Sequence, residues 1–149
     1  AEHGKDIALF STNCAMQEPL IIGALENGAM FPEQCCPSPT HGYPGALGLK
    51  ITEDIQGDMD AILKAINDAV VAKGGAGRFA TWRVSFNMMT VEAGVELARA
   101  IVEEGLEPSD MEGVAEIVSR TAGVDVTVSR YSDAGNFYMF TMESAIFGE

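Results

Sequence analysis

The stretch from Cys35 to Gly48 constrains the fold more than any other part of the chain. Its fourteen residues hold three prolines, three glycines, two adjacent cysteines and one of the two histidines. This density of residues that break helices and strands predicts a long irregular loop. Apolar runs flank the stretch on both sides, so the loop should connect regular elements. Shaped loops of this kind often carry binding groups.

Length and charge narrow the class of protein. The 149 residues, 47% of them hydrophobic, are enough for one globular domain, and we expect a single α/β lobe over residues 1–149. The net charge of −13 disfavours a nucleic-acid or anionic-membrane surface, because a phosphate backbone is bound by a basic face. The apolar runs are shorter than the roughly 20 residues of a membrane-spanning helix.

Strand and helix patterns alternate along the chain. Short apolar runs predict strands at 6–10, 29–36, 78–84 and 124–128. Apolar residues at helical spacing, with capping residues, predict helices at 19–27, 59–73, 90–104 and 110–120. The apolar segment 136–147 fits either a strand or a buried helix. This alternation predicts an α/β fold, a three-layer Rossmann-like sandwich with a mainly parallel sheet.

Signatures of catalysis, cofactors and metals are weak. The sequence has no dinucleotide-binding glycine motif after the first strand, no P-loop and no nucleophile elbow, so we predict no enzyme, no catalytic residues and no cofactor. Cys14, Cys35 and Cys36 lack the C-x-x-C spacing of zinc ligands, and His3 lies near the end of the chain. We therefore expect no metal site.

Polar residues follow three of the predicted strands, in three segments: 11–13 with 17 and 18, the loop at 36–45, and 81–83 continuing to 85 and 87. In parallel α/β sheets, ligands bind beyond the carboxyl ends of the strands, so these residues should meet at one edge. Trp82 would stack on the ligand, and Asn13, Arg83 and His41 would make polar contacts. The predicted ligand-binding residues are Ser11, Thr12, Asn13, Gln17, Glu18, Pro37, His41, Tyr43, Thr81, Trp82, Arg83 and Asn87.

Several motifs in this order resemble one protein family. They are Asp6–Asn13 with Gln17–Leu20, Cys36–Pro39 with Gly42–Gly48, Gly74–Trp82, and Asn136–Phe140. Together they are similar to the second lobe of a group of bacterial lipoproteins of unknown function with the type I periplasmic-binding-protein fold. The resemblance covers most of the chain and is weakest from Leu106 to Gly135.

The resemblance implies one lobe of a two-lobe protein, with the N-terminal lobe outside this chain. A small molecule would bind in the cleft between lobes and be held by hinge closure. The protein would then be an extracytoplasmic, lipid-anchored solute-binding protein, with an ABC-type permease as a candidate partner. One alternative is the effector-binding lobe of a cytoplasmic transcriptional regulator. A third hypothesis is a small α/β enzyme that uses Cys14 or Cys36.

Overall fold

The computed structural model describes residues 3–133 and 137–149, which form two compact units. Unit 1 contains the chain up to Phe86 together with Ser144–Glu149, and unit 2 contains Asn87–Glu143. Asn136, where the last predicted element and one of the family-like motifs begin, lies outside the described residues.

Unit 1 contains three helices and a small group of extended segments. The helices are α1 (Gln17–Asn27), α2 (Tyr43–Leu47) and α3 (Met59–Ala72), and a 3-10 turn, Cys14–Met16, precedes α1. Strand β1 (Ala80–Trp82) pairs antiparallel with β4 (Ser144–Ile146), with Thr81 opposite Ala145. Helix α4 (Phe86–Arg99) starts at the end of this unit and continues into unit 2.

Among the described residues of unit 1, parallel pairing is limited to two isolated bridges. Ala8 pairs with Met30, and Phe31 pairs with Phe79. The predicted strand at 29–36 is therefore much shorter than expected, because Pro32 has no N–H to donate and the residues after it turn into the loop. The three-layer sandwich with a mainly parallel sheet stays a prediction.

Local signals gave the correct positions of three helices. Helix α1 ends at Gly28, whose φ of 65° is the left-handed conformation that glycine tolerates best. The Asp58 side chain caps α3 by accepting from the Ala61 N–H, and Asp110 caps α5 (Met111–Ala122) by accepting from the Gly113 N–H.

Two local predictions were wrong: one about the Cys35–Gly48 loop and one about the start of a helix. The Cys35–Gly48 loop, predicted to be irregular, contains the short helix α2. Pro44 is tolerated because it lies in the first turn, where backbone N–H groups make no hydrogen bond within the helix. Helix α4 starts at Phe86 rather than at Thr90. Thr90 lies inside it, and its hydroxyl donates to the Asn87 carbonyl instead of capping an end.

Unit 2 combines helices with a hairpin. Helix α4 continues into a π-helical turn, Ala100–Glu104, that ends at Gly105 with a φ of 75°. Strands β2 (Val126–Arg130) and β3 (Tyr138–Met142) pair antiparallel, with Val128 opposite Phe140. The apolar segment 136–147, for which two conformations remained open, thus supplies β3 to unit 2 and β4 to unit 1.

The core of unit 1 is built around aromatic side chains. The rings of Phe31 and Phe147 both meet the Tyr43 ring edge to face, with centroids 6.0 and 5.1 Å away. Aliphatic side chains from α1 and α3 complete this core, among them Ile21, Ala24, Ile62, Ile66 and Val70. No helix in the described ranges has both the length and the apolarity needed to cross a membrane.

Candidate functional site

The start of α1 is joined to the Cys35–Gly48 loop by a buried glutamine. The Gln17 side chain has no exposed surface, and its Nε2 donates to the Ser11 and Asn13 carbonyls at 3.0 Å. The same nitrogen lies 3.5 Å from Cys35 Sγ. Gln17 therefore ties the first predicted ligand-binding segment to the second.

A second buried glutamine shapes the loop from inside. Gln34 Nε2 donates to the carbonyls of Ser38 and His41, each at 3.0 Å. Its Oε1 accepts from the Thr81 hydroxyl at 2.8 Å. Because Thr81 lies in β1, Gln34 fixes the loop to the third predicted segment.

Tyr43 anchors the far end of the loop. Its side chain is fully buried, and its hydroxyl donates to the Ala80 carbonyl at 2.9 Å. Burial raises the pKa of the Tyr43 phenol, because a phenolate in this core would lose its hydration. A further hydrogen bond holds the loop to the start of α4: the Pro37 carbonyl accepts from the Phe86 N–H at 2.9 Å.

Two cysteines and a histidine come together beside Gln17. Cys14 Sγ and Cys35 Sγ are 3.6 Å apart. These sulfurs and a ring nitrogen of His41 all lie within 4.8 Å of one another. His41 Nδ1 donates to the Cys36 carbonyl at 2.9 Å, so the lone pair of the neutral ring is on Nε2. Cys14 is exposed, and the other two are half-buried.

Crowding of the thiols disfavours a charge on Cys35. Burial, and then the neighbouring Cys14 and Cys36 thiols, raises the pKa of Cys35 to about 11. Cys35 is therefore a protonated thiol at neutral pH and a weak nucleophile. A carboxyl on the same segment is also perturbed: burial raises the pKa of Glu33, although the Trp82 indole donates to it and acts in the opposite direction.

The predicted ligand-binding residues differ sharply in exposure. Thr12, Asn13 and Glu18 are exposed, and Ser11 and His41 are half-buried, so these side chains can meet a ligand. In this conformation Gln17, Tyr43 and Thr81 have no exposed surface, and they hold the loop in place rather than face solvent.

The remaining predicted residues are not among the exposed residues of the loop surface. Pro37 is buried within the loop. Trp82 is 9% exposed, and its ring packs edge to face on Phe86, which leaves little surface for stacking on a ligand. Arg83 is exposed beside a cavity of about 180 Å³ whose other lining residues come from α3 and the β4 segment. Asn87 is exposed and belongs to unit 2.

A cavity is also found in unit 2. It measures about 430 Å³ and lies between the π-helical turn and α5, with Glu104, Glu107, Asp110 and Glu116 in its lining. None of the predicted ligand-binding residues lines it. The loop surface of unit 1 is the stronger candidate, because buried polar side chains there hold the backbone of the exposed residues in place.

Sequence reasoning missed two residues that shape this surface. Gln34 carried no signal, because a lone glutamine before two cysteines looks like any polar loop residue. Cys35 was set aside because the cysteines lack the C-x-x-C spacing of zinc ligands. Cys14 and Cys35 are 21 positions apart, which matches no spacing rule for metal ligands, so only the fold shows that the two sulfurs meet.

Comparison with solved structures finds a protein that matches nearly the whole chain. A candidate transcriptional regulator from Clostridium difficile 630 superposes with a TM-score of 0.84 at 25% sequence identity. The match covers 98% of this chain but only 42% of the other, so the chain spans less than half the length of that protein.

Comparison with protein sequences identifies a family and no individual relative. No curated protein matches the chain. The family described as "protein of unknown function (DUF3798)" matches residues 1–80. This range contains α1, α2, α3 and all three members of the Cys14, Cys35 and His41 group. The chain belongs to this family of unknown function.

Proposed function

We propose that this chain is the small-molecule-binding lobe of a two-lobe protein and acts in effector sensing, without catalysis. The observation that carries the proposal is the loop surface of unit 1. There, exposed Thr12 and Asn13 stand next to a loop whose backbone is held by Gln17 and Gln34. A preformed polar surface of this kind suits a small polar ligand, because little conformational entropy is lost on binding.

A buried acceptor beside this surface supports the proposal. Within the described part of the chain, Gln17 Oε1 is buried and has no hydrogen-bond partner. Buried polar atoms without a partner are uncommon, and each needs an explanation such as a ligand or an ordered water that supplies the donor. The same Gln17 side chain donates to the Ser11 and Asn13 carbonyls, so the unpartnered oxygen belongs to a residue that supports this surface.

The similarity to a candidate transcriptional regulator favours sensing over uptake. The net charge of −13 fits a lobe that binds an effector while contacts to nucleic acid are made elsewhere. Solute binding for uptake is the second candidate, and the resemblance to lipoproteins of periplasmic-binding-protein fold favours it. A lipid anchor and a permease partner belong to that second candidate. Its location would be extracytoplasmic, whereas a regulator would be cytoplasmic.

Native mass spectrometry of the full-length protein tests the proposal. We expect a small molecule to copurify, and calorimetry should show that Thr12→Ala weakens its binding by about 3- to 10-fold, the effect of one lost hydrogen bond. Thr127→Ala is the matched control, because Thr127 is exposed on β2 in unit 2. Equal affinity for both variants would rule out the loop surface as the binding site. A lipobox in the full-length sequence would favour uptake, and a helix-turn-helix would favour regulation.

A further inference from the structure

The Cys14, Cys35 and His41 group has the composition of a metal site. Thiolate and imidazole are the ligands that zinc and similar thiophilic cations prefer in proteins. The three residues come from two parts of the chain. Cys14 lies in the 3-10 turn before α1, and Cys35 and His41 lie in the Cys35–Gly48 loop. The fold of unit 1 is what brings them together.

The sulfur separation fits shared coordination. Two thiolates on one tetrahedral zinc, each about 2.3 Å from the metal, lie about 3.8 Å apart. The observed distance between Cys14 Sγ and Cys35 Sγ is 3.6 Å. A disulfide would require about 2.05 Å.

Hydrogen bonds around the group match those that support metal ligands. Histidine ligands commonly donate their other ring N–H to a backbone carbonyl, which fixes the tautomer. His41 does so toward Cys36, and its Nε2 keeps a lone pair for a metal. Gln17 Nε2 lies 3.5 Å from Cys35 Sγ and is itself held by two carbonyls, so it is placed to donate to a coordinated thiolate.

We propose that Cys14, Cys35 and His41 form a three-ligand site for a thiophilic cation of the Zn²⁺ class. Three protein ligands leave the fourth tetrahedral position to water or to an exogenous donor, as in zinc sites that bind ligands. The exposure of Cys14 gives solvent access to that position. This inference does not depend on the proposed effector-binding function, because a structural cation would satisfy it equally.

Zinc competition against a chromophoric chelator, on the reduced full-length protein, tests the site. We expect binding of one Zn²⁺, and Cys14→Ser, Cys35→Ser or His41→Ala should each weaken it by at least about 100-fold, since loss of a supporting residue alone weakens metal sites about 10- to 100-fold. Cys14→Ser is the most informative variant, because its exposed side chain makes a folding defect improbable. Co²⁺ should give thiolate-to-metal charge-transfer absorption that the same variants lose.

Matched controls are available for both ligand types. Cys36→Ser keeps the vicinal position but removes a thiol that is outside the group, and His3→Ala removes the other histidine. Both should bind Zn²⁺ like the unmodified protein. Zn²⁺ should also protect Cys14, but not Cys36, from alkylation, as read by peptide mass spectrometry.

Three results would overturn the site. In the first, zinc binding is the same with and without the Cys14 thiol. In the second, Cys36→Ser weakens zinc binding as much as Cys14→Ser does. In the third, Cys14 and Cys35 form a disulfide in the purified protein, and the protein binds no zinc after reduction. A failed search for a copurifying small molecule would leave these results unchanged, so failure of the metal site and failure of the proposed function are distinguishable.

Discussion

The core of unit 1 buries its apolar side chains, whereas helix α4 and the turn after it expose several of theirs. In unit 1, Phe31, Tyr43 and Ile66 have no exposed surface. In unit 2, Val91 and Val95 on α4 are 69% and 64% exposed, and Val102 on the π-helical turn is 84% exposed. Burial of these side chains stabilises unit 1, whereas the exposed valines of unit 2 contribute little to the stability of unit 2.

The two units also differ in the polar interactions that hold their backbones in place. Unit 1 contains buried polar side chains, Gln17, Gln34 and Thr81, whose hydrogen bonds fix the loop backbone. In unit 2, the Arg99 ion pairs with Glu96, Glu103 and Glu104 lie at the surface, where screening by water and salt makes each weak. A preformed binding surface is therefore expected in unit 1.

The largest expected effect compares apolar truncations in the two units. Ile66→Ala should lower the free energy of unfolding by about 2–5 kcal/mol, because it leaves a cavity in a core without exposed surface. Val95→Ala should change it by less than about 0.5 kcal/mol. Urea unfolding measures both. A loss at Val95 as large as that at Ile66 would mean that the α4 face is covered in solution, and the comparison would fail.

The next effect concerns the buried polar side chains. Gln34→Leu should lower the free energy of unfolding by about 2–4 kcal/mol, because it leaves the His41 carbonyl and the Thr81 hydroxyl without their partner. Gln56→Leu is the matched control, since Gln56 is exposed, and it should be nearly neutral. If the two variants unfold at the same urea concentration, the loop is not held by Gln34.

The smallest effect is a dependence on alkaline pH. The pKa of Tyr43 is raised in the folded state, so above about pH 10 the unfolded chain loses a proton that the folded chain keeps. This makes stability fall with rising pH, by about 1.4 kcal/mol per pH unit for one group. Tyr43→Phe should remove that part of the slope, whereas Tyr131→Phe, at a side chain 71% exposed, should leave it unchanged. If the free energy of unfolding falls equally with pH in the unmodified protein and in both variants, Tyr43 ionises as readily as an exposed tyrosine.

Much of the helical structure could be predicted from the sequence because its signals are local. Asp58 and Asp110 cap α3 and α5 through bonds to residues three positions on, and Gly28 ends α1. Helix α2 could not be predicted in this way. Pro44 and Gly48 suggest a loop, but they also fit the first turn and the C-terminal cap of one short helix. The strand at 29–36 was overestimated because apolar character alone does not show where a backbone stops pairing.

The candidate site was less accessible to sequence reasoning. The three predicted segments do contact one another, through Gln17, Gln34 and the bond from Tyr43 to Ala80. Which side chains face solvent could not be predicted, because exposure depends on contacts between residues far apart in sequence. Thr81 and Thr12 look alike in sequence, yet one is buried on Gln34 and the other is exposed.

The two buried glutamines have a consequence for protein engineering. The loop from Cys35 to Gly48 takes its shape from Gln17 and Gln34, which lie outside it, and from a backbone carbonyl of Ala80 on a neighbouring strand. A graft of the loop alone onto another scaffold would therefore lose its conformation. The smallest transplantable unit includes both glutamines, the strand whose carbonyl accepts from Tyr43, and Phe147, whose ring packs on Tyr43.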